Sequence, residues 1–290
     1  MGAAYRGPVD AHERDSLRPR VCRVNFILVD RPVPEVAVVT LNRPERMNAM
    51  AFDVMVPFRE QLVELGHDNT VRAIVVTGAG RGFCSGADQE SAGTPPYVDG
   101  LTRPTYALRS MEMLEDITLT LRRLHQPVIA AVNGAAIGGG LCLSLACDIR
   151  LAAPAAYFRA AGINNGLTAS ELGLSYLLPR AVGSSRAAEI MLTGRDVDAE
   201  EAAAIGLVSR VVEDVVPAAV EMGRQIAGFS QPGVELTKRT LVTGLDASSL
   251  EGHMQAEGLG QLYLRILTDN FEEATRARKE KRQPRFRDTR

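Results

Sequence analysis

The chain has 290 residues, 46% hydrophobic and 23% charged, which supplies apolar side chains for a full core and excludes a disordered or low-complexity protein. The longest nearly apolar stretch, residues 128–146, is broken by Asn133 and four glycines, so no membrane-spanning helix and no membrane partner are expected. The net charge of −2 hides an asymmetry: residues 276–290 carry eight Lys or Arg against Glu280 and Asp288, a net of +6 that leaves −8 elsewhere.

Residues 1–20 mix Arg with Asp10, Glu13 and Asp15 and hold no apolar run, which reads as a loose tail and neither a secretory signal nor a transit peptide. A cytoplasmic location follows as the expectation. Residues 25–41 run apolar on both sides of a Pro-rich turn at 31–35 and predict a hairpin. A helix should follow, with Asn48 as its cap and Met50, Val54, Phe58, Leu62 and Leu65 at helical spacing. Residues 72–77 predict a buried strand that ends in a glycine-rich loop at 78–88. Residues 90–104, rich in Gly, Pro and Thr, read as a surface loop ahead of a helix over 106–124. A strand at 128–132, a turn at Asn133-Gly134, a glycine-led helix at 138–147 and a strand at 148–152 repeat the pattern. Beyond Arg195 the spacing predicts helices over 199–205, 215–229, 234–243, 250–267 and 271–282, a helical and separately packed end.

Metal chemistry and a histidine-centred triad are poorly supplied: the four cysteines show no CxxC spacing and the four histidines are scattered. No metal and no separate cofactor are expected. The basic run at 276–290 lacks the aromatic platform of a nucleic-acid site, so it reads as a solvated face or a phosphate contact, with no nucleic-acid partner. Gly78-x-Gly80-x-Gly82 misses the dinucleotide spacing, and a nucleophile elbow needs serine where Cys84 stands. The segments Ser85-Gly86-Ala87-Asp88 and Gly138-Gly139-Gly140 each follow a short apolar strand. Either they aim backbone N–H groups at a developing anion, or they permit tight turns and close packing.

Five segments together, LNRPERMNAM (41–50), RGFCSGAD (81–88), QPVIAAVNGAAIGGG (126–140), ACDIRLA (146–152) and LTGRDVDAEEAAAIGLVSRVV (192–212), resemble the enoyl-CoA hydratase/isomerase, or crotonase, family in order and spacing. The resemblance implies an α/β fold, a crotonase-like spiral of ββα units over residues 21–228, with a helical trimerisation region at 229–290. It implies an acyl-CoA substrate, a homotrimer or dimer of trimers, and an isomerase or lyase of fatty acid metabolism. By position, the backbone N–H groups of Ala87 and Gly139 form the oxyanion hole. Arg46, Ser85, Asp88 and Gln89 fall where the family contacts the nucleotide part of coenzyme A. Lys281 matches a lysine that approaches a neighbouring subunit's adenine, with Arg278 in place of the family's aromatic partner.

The sequence departs from the family where hydratases carry two glutamates, because those positions hold Cys142 and Gly162. Neither serves as a carboxylate base. Glu171, within GLTASELGLSYLLPR (166–180), occupies about the place where some members, dienoyl-CoA isomerases among them, carry a catalytic carboxylate. Flanked by Leu167, Leu172 and Leu174 it is expected to be partly desolvated; the alternative is a helix N-terminal carboxylate after Thr168 or Ser170. Glu112, Glu115 and Asp116 are further acids that the helix over 106–124 could turn inward. A double-bond shift, which needs one shuttling base, is favoured over hydration; a CoA-ester binding protein without turnover and a thioester hydrolase are the alternatives.

Overall fold

The computed structural model describes residues 25–286; the tail at 1–20, Cys22 and the last four residues of the basic run lie outside the described residues. Two sheets form the frame. The larger has the order β1 (Ile27–Val33), β2 (Val36–Leu41), β3 (Ala73–Gly78), β5 (Val128–Val132), β7 (Ile149–Ala152) and β10 (Arg210–Val211), parallel except for the β1–β2 hairpin. The smaller has the order β4 (Gly82–Cys84), β6 (Ala135–Ile137), β8 (Tyr157–Arg159) and β9 (Asp196–Asp198). The chain passes from the large sheet to the small one at each turn of the spiral: β3 leads to β4, β5 to β6 and β7 to β8.

The side-chain period of two explains why the strands of the large sheet are apolar throughout. Ile74, Val76, Ala130 and Val132 face the main core, built with Phe58, Leu62, Phe83, Leu141 and Phe158. Their neighbours Ala73, Val75, Ile129 and Ala131 face a second core closed by α7 (Val215–Ala227) through Val215 and Ala219. The described end of the chain is therefore less separate than its helical spacing predicts, since α7 covers the large sheet and β9 and β10 extend both sheets past Arg195. Next come α8 (Gln231–Gly244), α9 (Leu250–Leu267) and α10 (Asn270–Glu280). Lys238 ties α8 to the body: its buried Nζ donates to the carbonyl of Gln126 at 2.9 Å and pairs with Asp148 at 2.7 Å.

Two local expectations are corrected. Helix α1 (Phe52–His67) starts without a side-chain cap, and Asn48 is instead buried three residues before the cap position Ala51, accepting from the Arg43 N–H at 2.8 Å and donating to the carbonyls of Ala79 and Gly82. It stitches the loop before α1 to the turn between β3 and β4. Helix α2 (Arg103–Arg123) begins one turn earlier than the loop reading allows, because Pro104 sits in its first turn, where its missing N–H costs nothing.

Candidate active site

The two glycine-rich segments meet because β4 and β6 are parallel neighbours, so the loops at their carboxyl ends lie side by side. Gly86 has φ +83°, and a Cβ there would stand 2.7 Å from the Ile137 carbonyl oxygen and 3.3 Å from the Gly139 nitrogen. Only glycine permits that approach. At the bridge between Met50 and Ala87, the Met50 N–H donates to the Gly86 carbonyl at 2.7 Å and its carbonyl accepts from the Asp88 N–H at 3.0 Å. These bonds straddle Ala87, and among the described residues no hydrogen bond engages its own N–H. Gly139 opens α3 (Gly139–Ala146), so its N–H has no intrahelical partner and sits at the positive end of the helix dipole. Two unengaged amides on adjacent loops result, with Ala87 exposed to solvent.

The third strand of this row, β8, leads into the segment that carries Glu171. A Cβ at Gly138 would lie 3.3 Å from Glu171 Oε1 and 4.0 Å from the Gly86 Cα, which puts the carboxylate beside the Gly138 turn where the two loops meet. The carboxylate is half-buried, and among the described residues no hydrogen bond or ion pair reaches it; burial raises its pKa above the ordinary glutamate value. It does not act as a cap, for α4 (Leu174–Val182) starts after Gly173 with no side-chain cap bond. Its backbone is held from two sides. The Glu171 carbonyl accepts from the Leu174 N–H at 2.8 Å and from the Cys142 thiol at 3.5 Å, and the next carbonyl, of Leu172, accepts from Thr118 Oγ1 at 3.3 Å. Leu172 itself has φ +46°, a conformation that costs a bulky residue about 1–3 kcal/mol and persists only where neighbours enforce it.

The positions matched to the two hydratase glutamates are closed. Cys142 is fully buried and its thiol is pushed well above its usual pKa by desolvation, which makes it an inert core thiol. At Gly162 a Cβ would overlap the Thr168 carbonyl, so the segment that brings Glu171 in fills the space a second carboxylate would need. The sequence shows glycine at 162 but not the reason for it.

Of the other predicted contacts, Arg46, Ser85, Asp88 and Gln89 share one loop region. The Asp88 side chain is turned inward: it pairs with Arg43 at 2.7 Å and Arg46 at 2.9 Å and accepts from the N–H groups of Glu90 and Ser91. Those bonds, that of Ser91 foremost, hold its carboxyl well below the usual range. Asp88 therefore shapes this loop and offers no free carboxylate to a ligand. Ser85 Oγ donates to the Arg46 carbonyl, Arg46 stays partly open while also pairing with Glu90 at 2.5 Å, and Gln89 is exposed. Arg43 is the residue that sequence reasoning missed here, visible only once the fold sets it against Asp88. Arg278 and Lys281 are exposed at the end of α10, and no hydrogen bond or ion pair among the described residues joins them to this loop. Glu112, Glu115 and Asp116 line a cavity of about 720 Å³ between α1 and α2, where Asp116 pairs with Arg59.

The profile of the enoyl-CoA hydratase/isomerase family matches residues 33–289. A probable enoyl-CoA hydratase, echA12, of Mycobacterium bovis is 70% identical over 267 residues, covering 91% of this chain and 94% of the relative. A crystal structure of a probable enoyl-CoA hydratase/isomerase from Mycobacterium abscessus superposes with TM-score 0.88 at 71% identity, covering 91% of this chain and all of that one. A monofunctional enoyl CoA isomerase from M. smegmatis, 64% identical, gives TM-score 0.68 over 79% of this chain and 98% of its own.

Proposed function

Because the chain belongs to the enoyl-CoA hydratase/isomerase family, we propose that it moves the carbon–carbon double bond of an enoyl-CoA thioester, with Glu171 as the proton shuttle. The observation that carries this reading is the half-buried, unpaired carboxylate of Glu171 beside Gly138, while Cys142 and Gly162 close the two hydratase positions. In the proposed step Glu171 takes a proton from the α carbon of a 3-enoyl thioester. The electron pair moves onto the thioester oxygen as an enolate, and the N–H groups of Ala87 and Gly139 stabilise that charge without reorganising. The protonated Glu171 then returns the proton at the γ carbon, the enolate collapses, and the double bond lies between the α and β carbons. No water is consumed. A pKa raised by burial suits a group that must both accept and return a proton near neutral pH.

The proposed nucleotide contacts are Arg46, Ser85 and Gln89, with Asp88 holding the loop, and Arg278 and Lys281 reaching a neighbouring subunit's ligand within a trimer. The exposed apolar row Leu259, Leu262, Tyr263 and Ile266 on α9 supports such an assembly. The similarity to the M. smegmatis isomerase supports the shift over hydration. The test is a panel of saturated, 2-enoyl and 3-enoyl CoA esters followed for conjugated-thioester absorbance and for free thiol. A rise in absorbance from 3-enoyl esters without thiol release is expected. Thiol release alone would mark a hydrolase, and binding with no change of either would mark a binding protein; both overturn the reading.

A further inference from the structure

The cavity between α1 and α2 adjoins the candidate site at both of its walls. On one side Phe52 follows two residues after Met50, whose sulfur packs where a Gly139 side chain would be. On the other side Ile117 precedes Thr118, the residue bonded to the Leu172 carbonyl beside Glu171. The lining between them is apolar at Met55, Val56, Met113 and Leu114 and charged at the pairs Arg59–Asp116 and Arg109–Glu112 and at Glu60 and Glu115. A cavity of about 720 Å³ is within the range that encloses an organic ligand. A four-carbon acyl group, at about 30 Å³ for each water-sized unit of volume, leaves most of it empty.

One residue at this cavity is out of keeping with the rest of the surface. Tyr97 lines it and yet is 96% exposed, with φ +63°, a conformation a bulky residue rarely adopts. Its neighbours enforce it: Pro95 and Val98 are buried, and the Leu101 N–H closes onto the Val98 carbonyl at 3.2 Å. Gly93 and Gly100, at φ +73° and +76°, bound the segment on either side, and around Gly100 there is open space. The facing wall is also loosely packed, since the buried residues of α2 are Ile117, Thr118 and Leu121, all in its second half. A large aromatic ring is thus held in water beside the cavity, on a segment anchored by Pro95 and Val98.

We infer that Tyr97 is a specificity-determining residue: its ring covers the aliphatic tail of a bound acyl thioester and selects medium-to-long chains that fill the α1–α2 cavity over short ones. The inference rests on the proposed acyl-CoA substrate but not on the reaction performed. Each methylene that enters the cavity improves affinity roughly fourfold until the space is filled. The test is titration calorimetry of the full chain with saturated butanoyl-, octanoyl- and dodecanoyl-CoA, in wild type, Tyr97→Ala and Tyr97→Phe. Wild type is expected to tighten with chain length. Tyr97→Ala should lower the dodecanoyl-to-butanoyl affinity ratio about tenfold, and Tyr97→Phe should keep it, because the ring and not the hydroxyl covers the chain. An unchanged ratio in Tyr97→Ala, or equal affinity of wild type for all three esters, overturns the inference. Chain-length-dependent binding by an enzyme that turns over no enoyl ester would refute the proposed reaction and leave the role of Tyr97 standing, whereas binding of no ester overturns both.

Discussion

Replacing Glu171 with Gln should have opposite effects on activity and stability. The amide keeps the shape of the side chain but neither takes nor returns a proton. The loss of kcat/KM for 3-enoyl esters is therefore that of a general base, about 10²–10⁴-fold, or roughly 2.7–5.4 kcal/mol of activation free energy. Stability should move the other way. Burial raises the pKa of Glu171 in the folded chain above its value in the unfolded one, so the ionised form is disfavoured by folding. Its contribution is most favourable below the unfolded pKa and is lost as the pH rises through the folded one. At pH 8 the Gln variant should consequently melt at a higher temperature than wild type, and the difference should shrink as the pH falls toward the ordinary carboxylate range. Paired melting curves from pH 4 to 8, with kcat/KM measured on the same preparations, test both halves. A variant that melts lower at pH 8, or retains activity within a factor of ten, would refute the reasoning.

Asp88→Ala should cost about 3 kcal/mol in urea unfolding at neutral pH, because it leaves the largely buried Arg43 with only the distant Glu45 as a partner and removes the acceptor for two loop N–H groups. Since the Asp88 pKa is depressed in the fold, the stability it adds is present at neutral pH and fades as the pH falls below the usual carboxylate range. The double variant Cys142→Glu/Gly162→Glu should not acquire hydration: the side chain at 162 meets the Thr168 carbonyl, so the expected result is a lowered melting temperature and no 3-hydroxyacyl-CoA by product analysis. Lys238→Ala should destabilise by about 3 kcal/mol in urea unfolding, since it leaves Asp148 without its cation and empties the link from α8 to the Gln126 carbonyl.

Much of the large sheet was legible because its strands are continuous apolar runs bounded by glycine or proline, and the long helices were legible through their 3.6-residue period. The small sheet was not. Its four strands have three residues each, too few to carry a period, and β4 and β6 lie inside glycine-rich segments, yet β4, β6 and β8 are what bring the loops of Ala87 and Gly139 together and lead the chain toward Glu171. Asn48 reads as a helix cap because its chemistry suits one, and only the approach of the β3–β4 turn gives its amide better partners. The inward turn of Asp88 has the same cause: pairing with Arg43 across 45 residues leaves no local trace. The closure of position 162 depends likewise on a backbone passing through the space, which residue identity does not encode.

The most direct test of the proposed proton shuttle is the mass of the product formed from a 3-enoyl-CoA in ¹⁸O-enriched water. A double-bond shift predicts a 2-enoyl-CoA with the mass of the substrate apart from exchanged hydrogen and no ¹⁸O. An untouched 3-enoyl-CoA, beside a 2-enoyl-CoA that the same enzyme converts to a 3-hydroxyacyl-CoA carrying ¹⁸O, would contradict it, because the enzyme would then be activating water without the two carboxylates that hydration employs.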